Sequence, residues 1–146
     1  MKLKQLSLFL ENKPGALSAP VKLLADAGIN ILTLSIAEAR QYGILRLIVR
    51  DWAAAKKLLE KNGLLVKVTD VLVIEVADRP GGLARVLVAL EEAGINLEYM
   101  YPFPHKGGGK GFFLFRFDDP DKAIAVLQKS RINVVGNAEL FKQLEG

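Results

Sequence analysis

Residues 12–17 read Asn12-Lys13-Pro14-Gly15-Ala16-Leu17, and residues 78–83 read Asp78-Arg79-Pro80-Gly81-Gly82-Leu83. A helical stretch follows each run. Then comes Ala27-Gly28-Ile29-Asn30-Ile31 in one case and Ala93-Gly94-Ile95-Asn96-Leu97 in the other. A constant offset of 66 relates Pro14 to Pro80, Gly15 to Gly81, Leu17 to Leu83, Leu24 to Leu90, Gly28 to Gly94 and Asn30 to Asn96. Further on the offset is 68, aligning Asp51 with Asp119 and Leu59 with Leu127. The second copy therefore holds two extra residues, placed most simply within 102–109. Self-similarity at a fixed spacing marks a duplicated structural unit.

Each copy reads as the same series of elements. Leu6, Leu8 and Leu10 alternate with Gln5, Ser7 and Phe9, and Leu72, Ile74 and Val76 repeat that face, which predicts a half-buried strand. The Pro-Gly turn follows. Leu17, Val21 and Leu24, matched by Leu83, Leu87 and Leu90, then recur at helical spacing. Gly28 and Gly94 sit where a left-handed helix cap is wanted. Second strands start at Ile31 and Leu97. Third strands carry Leu45, Leu47 and Val49, or Phe113, Phe115 and Phe117. Asp51 and Asp119 are N-caps for second helices over 52–61 and 121–129, and Pro120 suits a first helical turn. Asn62-Gly63 stops the first of these helices. Fourth strands are expected over 64–68 and 132–135.

The resulting order is β-α-β-β-α-β twice, an α+β, ferredoxin-like arrangement with helices on one face of a four-stranded antiparallel sheet. The expected domains are 1–69 and 70–136, joined by only Thr69-Asp70. Residues 137–146 form a C-terminal tail with room for one short helix. A half of about 70 residues is marginal for burying a core alone, so the copies are expected to pack on each other or on a second chain.

Composition narrows the chemistry. The 146 residues are 51% hydrophobic and 25% charged, as in ordinary globular chains. Cysteine is absent and His105 is the single histidine, which excludes disulfides, thiolate nucleophiles, cysteine zinc sites and multi-histidine metal centres. No convergent acid, base and nucleophile set is visible, so no catalytic residue, metal ligand or cofactor is expected. No apolar run reaches the length of a membrane span, and Lys4 and Gln5 interrupt any signal-peptide core, so the expected location is the cytoplasm. The net charge is +4 and the isoelectric point about 9.4. Residues 1–70 hold 11 basic and 6 acidic side chains, and residues 71–146 hold 9 and 10. Charge this scattered reads as a solvated face rather than a nucleic-acid footprint.

Two stretches invite phosphate or RNA readings. His105-Lys106-Gly107-Gly108-Gly109-Lys110-Gly111 resembles a phosphate loop, but Lys110 precedes Gly rather than Ser or Thr, and the run lies between two strands. It reads as a hairpin loop. Lys110-Gly111-Phe112-Phe113-Leu114-Phe115-Arg116-Phe117 approaches the RNA-recognition consensus on a third strand. It fails at Leu114, where a stacking aromatic belongs, and Phe113, Phe115 and Phe117 align with the core face of the first copy. Tyr99, Tyr101 and Phe103 alternate where the first copy has Thr33, Ser35 and Ala37. An interface, a ligand pocket or different core packing would each account for that contrast.

The Pro-Gly turns carry the binding chemistry. Each joins a strand end to a helix N-terminus, whose free N–H groups and positive dipole end suit a carboxylate. The Asn12 or Asp78 side chain beside it suits an ammonium group. A free amino acid offers both groups. Asn30 and Asn96, at the start of the second strands, add donors and acceptors.

This doubled Asn/Asp-Lys/Arg-Pro-Gly-x-Leu…Ala-Gly-Ile-Asn-Ile/Leu pattern, on a βαββαβ frame, resembles the ACT domain family, with two ACT domains in tandem. The resemblance implies regulatory small-molecule binding, commonly of amino acids, where ACT domains pair. It places Asn12, Gly15, Ala16 and Leu17 in one half-site with Asn96 across the interface. Asp78, Gly81, Gly82 and Leu83 form the other half-site, with Asn30 across. The paired copies belong to one chain or to two. Leu10 and Val76 stand where some members carry a polar ligand contact. The expected partners are a small molecule, a second copy in a homodimer, and a separate enzyme or regulator that receives the signal. A ligand-free interaction module is the alternative reading, and RNA binding ranks third.

Overall fold

The structure, a computed structural model, describes residues 1–104 and 108–145. The chain divides into two compact units, Lys4–Thr69 and Asp70–Gly146, and Met1–Leu3 group with the second of them.

In the first unit β1 (Leu3–Glu11), β2 (Ile31–Ala39) and β3 (Tyr42–Val49) form an antiparallel sheet in the order β2-β3-β1. Leu6 lies opposite Leu47 and Leu8 opposite Leu45. Residues directly opposite share a face, so the alternating leucines of two strands meet on one side. There they pack with Leu24 of α1 (Ser18–Asp26) and with Ala55 and Leu59 of α2 (Trp52–Lys61). Val66 and Val68, at the start of β4 (Val66–Ala77), pack against the same core.

The second unit repeats the plan. The remainder of β4, β5 (Leu97–Phe103) and β6 (Lys110–Phe117) pair antiparallel in the order β4-β6-β5. Leu72, Ile74, Phe115 and Phe117 from the strands pack with Val86 and Leu90 of α3 (Gly82–Glu92) and with Ala123 and Leu127 of α4 (Pro120–Lys129). The capping signals read from the sequence are in place. Asp51 Oδ1 accepts from Ala54 N–H, and Asp119 Oδ1 accepts from Lys122 N–H, both at 3.1 Å. Gly28 and Gly94 take φ of +73° and +71° behind the first helix of each copy, a conformation that costs glycine nothing.

Two expectations about the fourth strands are corrected. Thr69-Asp70 is not a linker but lies inside the continuous twelve-residue strand β4. The run from Val66 to Ala77 has no Gly or Pro and is rich in valine, so nothing breaks its extended backbone. Residues 132–135, by contrast, make no full strand. They contribute one bridge, between Ile74 and Val134, flanked by Glu75 N–H to Asn133 O at 3.0 Å and Val135 N–H to Val73 O at 2.9 Å. Arg131, with φ +57°, turns the chain just before it.

The tail forms α5 (Asn137–Glu145), whose Leu140 is buried. The amino terminus is tied to the second unit by Asn137 Nδ2 donating to Lys2 O at 3.1 Å and by a Lys2–Asp121 ion pair at 3.1 Å. The strand faces turned away from the helices differ between units. Tyr101, Phe103, Phe112 and Leu114 are all buried, whereas in the first unit Gln5 and Ile48 are buried on this face but Phe9 is 66% exposed. No helix among the described residues is long and apolar enough to cross a membrane.

Candidate functional site

The repeat extends to individual hydrogen bonds at the two Pro-Gly turns. In the first, Lys13 N–H donates to Glu11 O (3.0 Å), Ala16 N–H to Lys13 O (3.3 Å) and Ala19 N–H to Gly15 O (3.2 Å). In the second, Arg79 N–H donates to Ala77 O (2.9 Å), Gly82 N–H to Arg79 O (3.0 Å) and Arg85 N–H to Gly81 O (3.0 Å). Gly15 and Gly81 both have φ of +88°, a region that side chains with Cβ avoid. Pro supplies the fixed φ and Gly the left-handed step, and together they turn a strand directly into a helix.

The turns differ at their second glycine position. An added Cβ on Gly82 would lie 1.9 Å from Ala77 O. The first turn of α3 is thus seated against the end of β4 as closely as a backbone without side chain allows. The equivalent residue of the first copy is Ala16, and α1 begins two residues later, at Ser18. Ser18 Oγ there donates to Gly15 O at 3.2 Å.

They also differ in how the side chains beside them are engaged. Asn12 N–H donates to Gln41 O at 2.9 Å and its side-chain Nδ2 donates to Arg40 O at 3.0 Å. Asp78 N–H makes the equivalent bond to Gly109 O at 3.0 Å, but a carboxylate has no proton to give a carbonyl. Lys13 is ion-paired with Glu11 at 2.9 Å. The counterparts of that pair are Arg79 and Ala77, and alanine cannot pair. Among the described residues the side chains of Asp78 and Arg79 have no hydrogen-bonding or ionic partner.

A cavity adjoins each turn. The one at the first is about 350 Å³ and is lined by Glu11, Asn12, Lys13, Arg40, Gln41 and Tyr42. The one at the second is about 580 Å³, and its lining includes Asp78, Arg79, Pro80 and Leu83 from the turn and α3, and Pro102, Phe103 and Phe112 from β5 and β6. Asn96 lines a separate cavity of about 410 Å³ beside Gly94 and Leu97. Its backbone is pinned by Asp118, whose Oδ1 accepts from Asn96 N–H at 3.2 Å. Asn30 is exposed at the entry to β2.

The expected half-site residues Asp78 and Leu83 thus line one cavity, with Gly81 and Gly82 forming the turn beside it. Asn12 lines the other, next to Gly15, Ala16 and Leu17. Arg79, Phe103 and Phe112 were not among the expected site residues. Phe103 belongs to an aromatic alternation visible in sequence. Arg79 is revealed only by comparing its neighbours with Glu11 and Lys13.

Two basic residues of the aromatic strand are engaged elsewhere. Lys110 is ion-paired with Glu75, and Arg116 donates to Asp70 O at 2.9 Å. His105, Lys106 and Gly107 of the glycine loop lie outside the described residues. No group of three or more His, Asp or Glu side chains among the described residues is placed to hold a metal ion.

Comparison with known proteins bears on the fold directly. The family model for the ACT domain pair matches residues 1–144. The crystal structure of protein BT0572 from Bacteroides thetaiotaomicron is similar over 97% of both chains, with 40% identity and a TM-score of 0.89. The ligand-free regulatory subunit of aspartate kinase from Thermus thermophilus shares the fold over 88% of this chain and 90% of its own, at 17% identity and a TM-score of 0.63. The acetolactate synthase small subunit of Buchnera aphidicola subsp. Baizongia pistaciae is 38% identical over 80 residues, 53% of this chain and 50% of that protein. The match thus spans about half the length of that curated relative.

Proposed function

Because the chain belongs to the ACT domain pair family, whose role is regulatory and not catalytic, we propose that it is an amino-acid-sensing regulator that passes its signal to a separate partner. The observation that carries this reading is the turn built twice, with the same three hydrogen bonds and the same glycine φ. Each copy presents a strand-to-helix corner beside a cavity, with a helix N-terminus to meet a carboxylate. In this reading Asn96 completes the first half-site and Asn30 the second. The named functions of similar proteins, a small subunit of acetolactate synthase and a regulatory subunit of aspartate kinase, support an enzyme as the partner. Binding acts by favouring one assembly or partner-binding state over another. The protein works in the cytoplasm and needs no cofactor.

A thermal-shift screen against the twenty amino acids and the common nucleotides tests this. A ligand present at about 100 times its Kd adds roughly 2.7 kcal/mol of stability, a rise of several degrees for a chain of this size. A shift from one or two amino acids is expected. Silence from all twenty supports the ligand-free interaction module, and a response to nucleotides alone redirects attention to the glycine loop.

The proposed assembly is a homodimer. Among the described residues strand β2 pairs only with β3 and presents an open edge, and Leu34 and Ile36 on it are 42% and 50% exposed. Open edges with apolar side chains invite pairing. Light scattering at micromolar concentration is expected to return twice the chain mass, and a monomer mass removes this part of the proposal.

A further inference from the structure

We propose that the two turns have divided their labour: the second binds a zwitterionic amino acid with a large apolar side chain, and the first is a latch closed on its own hairpin. This rests on the amino-acid reading above and assigns the ligand to one copy. Three differences between equivalent positions carry it.

The first is Asn12 against Asp78. The Asn12 amide donates to Arg40 O, fastening the turn to the β2–β3 hairpin. A carboxylate at that position cannot donate, so Asp78 is left available to accept from an ammonium group. The second is Glu11 against Ala77. Glu11 neutralises Lys13, whereas alanine leaves the Arg79 guanidinium available for a carboxylate, which it matches with paired donors. The third is the cavity wall. At the first turn it is made of charged and amide side chains with Tyr42. At the second, Pro80, Leu83, Pro102, Phe103 and Phe112 form an apolar wall next to the two opposite charges. A volume of about 580 Å³ lies within the usual range for small-ligand pockets, roughly 300–1,000 Å³.

Anion, cation and apolar wall together describe an α-amino acid such as leucine or phenylalanine. Glycine lacks the apolar part, and an alkylamine lacks the carboxylate. Isothermal titration of the full chain with L-leucine, L-phenylalanine, glycine, 3-methylbutylamine and phenethylamine separates these contributions. One equivalent of leucine or phenylalanine per chain is expected, with glycine at least about tenfold weaker for want of apolar burial. Asp78→Ala is expected to weaken the amino acid and its amine analogue alike, by about ten- to a hundredfold. Arg79→Ala weakens the amino acid by a similar factor and leaves the amine unchanged. Lys13→Ala leaves both unchanged.

Two equivalents per chain, or a Lys13→Ala loss matching that of Arg79→Ala, overturns the division of labour and leaves amino-acid sensing standing. Binding of other amino acids but of neither leucine nor phenylalanine overturns the apolar assignment alone. No binding by any of the twenty overturns this inference and the wider reading together.

Discussion

Replacing Gly82 with alanine is expected to destabilise the second unit by about 3 kcal/mol, the upper end of the usual cost of overpacking. Gly81→Ala, one residue earlier, is expected to cost only about 1–2 kcal/mol. The two glycines are needed for different reasons. A Cβ on Gly81 meets nothing within 4 Å, and its penalty is the left-handed φ of +88°. A Cβ on Gly82 meets the Ala77 carbonyl at 1.9 Å. That carbonyl ends β4 and already accepts from Arg79 N–H, so it is backbone that cannot swing aside. The remaining escape is for α3 to back away, and the first copy has Ala16 with its helix beginning at Ser18. Retreat of α3 would also move Leu83 off the cavity it lines, so Gly82→Ala should weaken ligand as well. Urea unfolding of the two variants measures the order. Equal costs, or a Gly82→Ala cost below about 0.5 kcal/mol, would show that α3 does not press on the end of β4.

That distinction explains how far residue types carry a reading of this chain. The duplication, the helix caps at Asp51 and Asp119 and the leucine faces are local in sequence, and each took its expected place in the structure. The joined strand β4 was hidden because Thr69-Asp70 looks like a hinge only if strands are assumed to end between domains. The reduced fourth strand at 132–135 was hidden for the opposite reason: its apolar alternation is real, and Ile132 and Val134 are buried, but burial does not require a full ladder. At the site, Asn12 and Asp78 look interchangeable as residue types. What separates them is that the amide carries a donor for a nearby carbonyl and the carboxylate carries none. For Asn12 that carbonyl belongs to Arg40, 28 residues away and itself held at φ +47°. Arg79 is legible only as half of a missing pair, since its meaning depends on the alanine two residues before it.

Replacing Phe115 with alanine is expected to cost about 3–5 kcal/mol, the range for truncating a buried aromatic, and it decides between the regulatory and RNA readings of β6. On an RNA-binding sheet the aromatics face solvent and stack on bases, so their removal weakens RNA and barely changes stability. Here Phe115 is fully buried on the helix side, 5.6 Å from the ring of Phe117, among Leu72, Ile74, Val86 and Leu90. Its counterpart at the 68-residue offset is Leu47, likewise fully buried in the first core. Phe115→Leu should therefore recover much of the loss, because leucine fills most of the volume that alanine leaves empty. A urea midpoint lowered strongly by Phe115→Ala and partly restored by Phe115→Leu assigns the aromatic strand to the core. A variant as stable as the parent, with salt-sensitive affinity for single-stranded RNA lost, would return β6 to nucleic acid. The other face of the same strand is also buried, at Phe112 and Leu114, and Phe113 packs partly buried against the helix-side core, so the aromatics of β6 are committed to packing. The proposed ligand site lies instead at the turn, where Asp78 and Arg79 have no side-chain partners among the described residues.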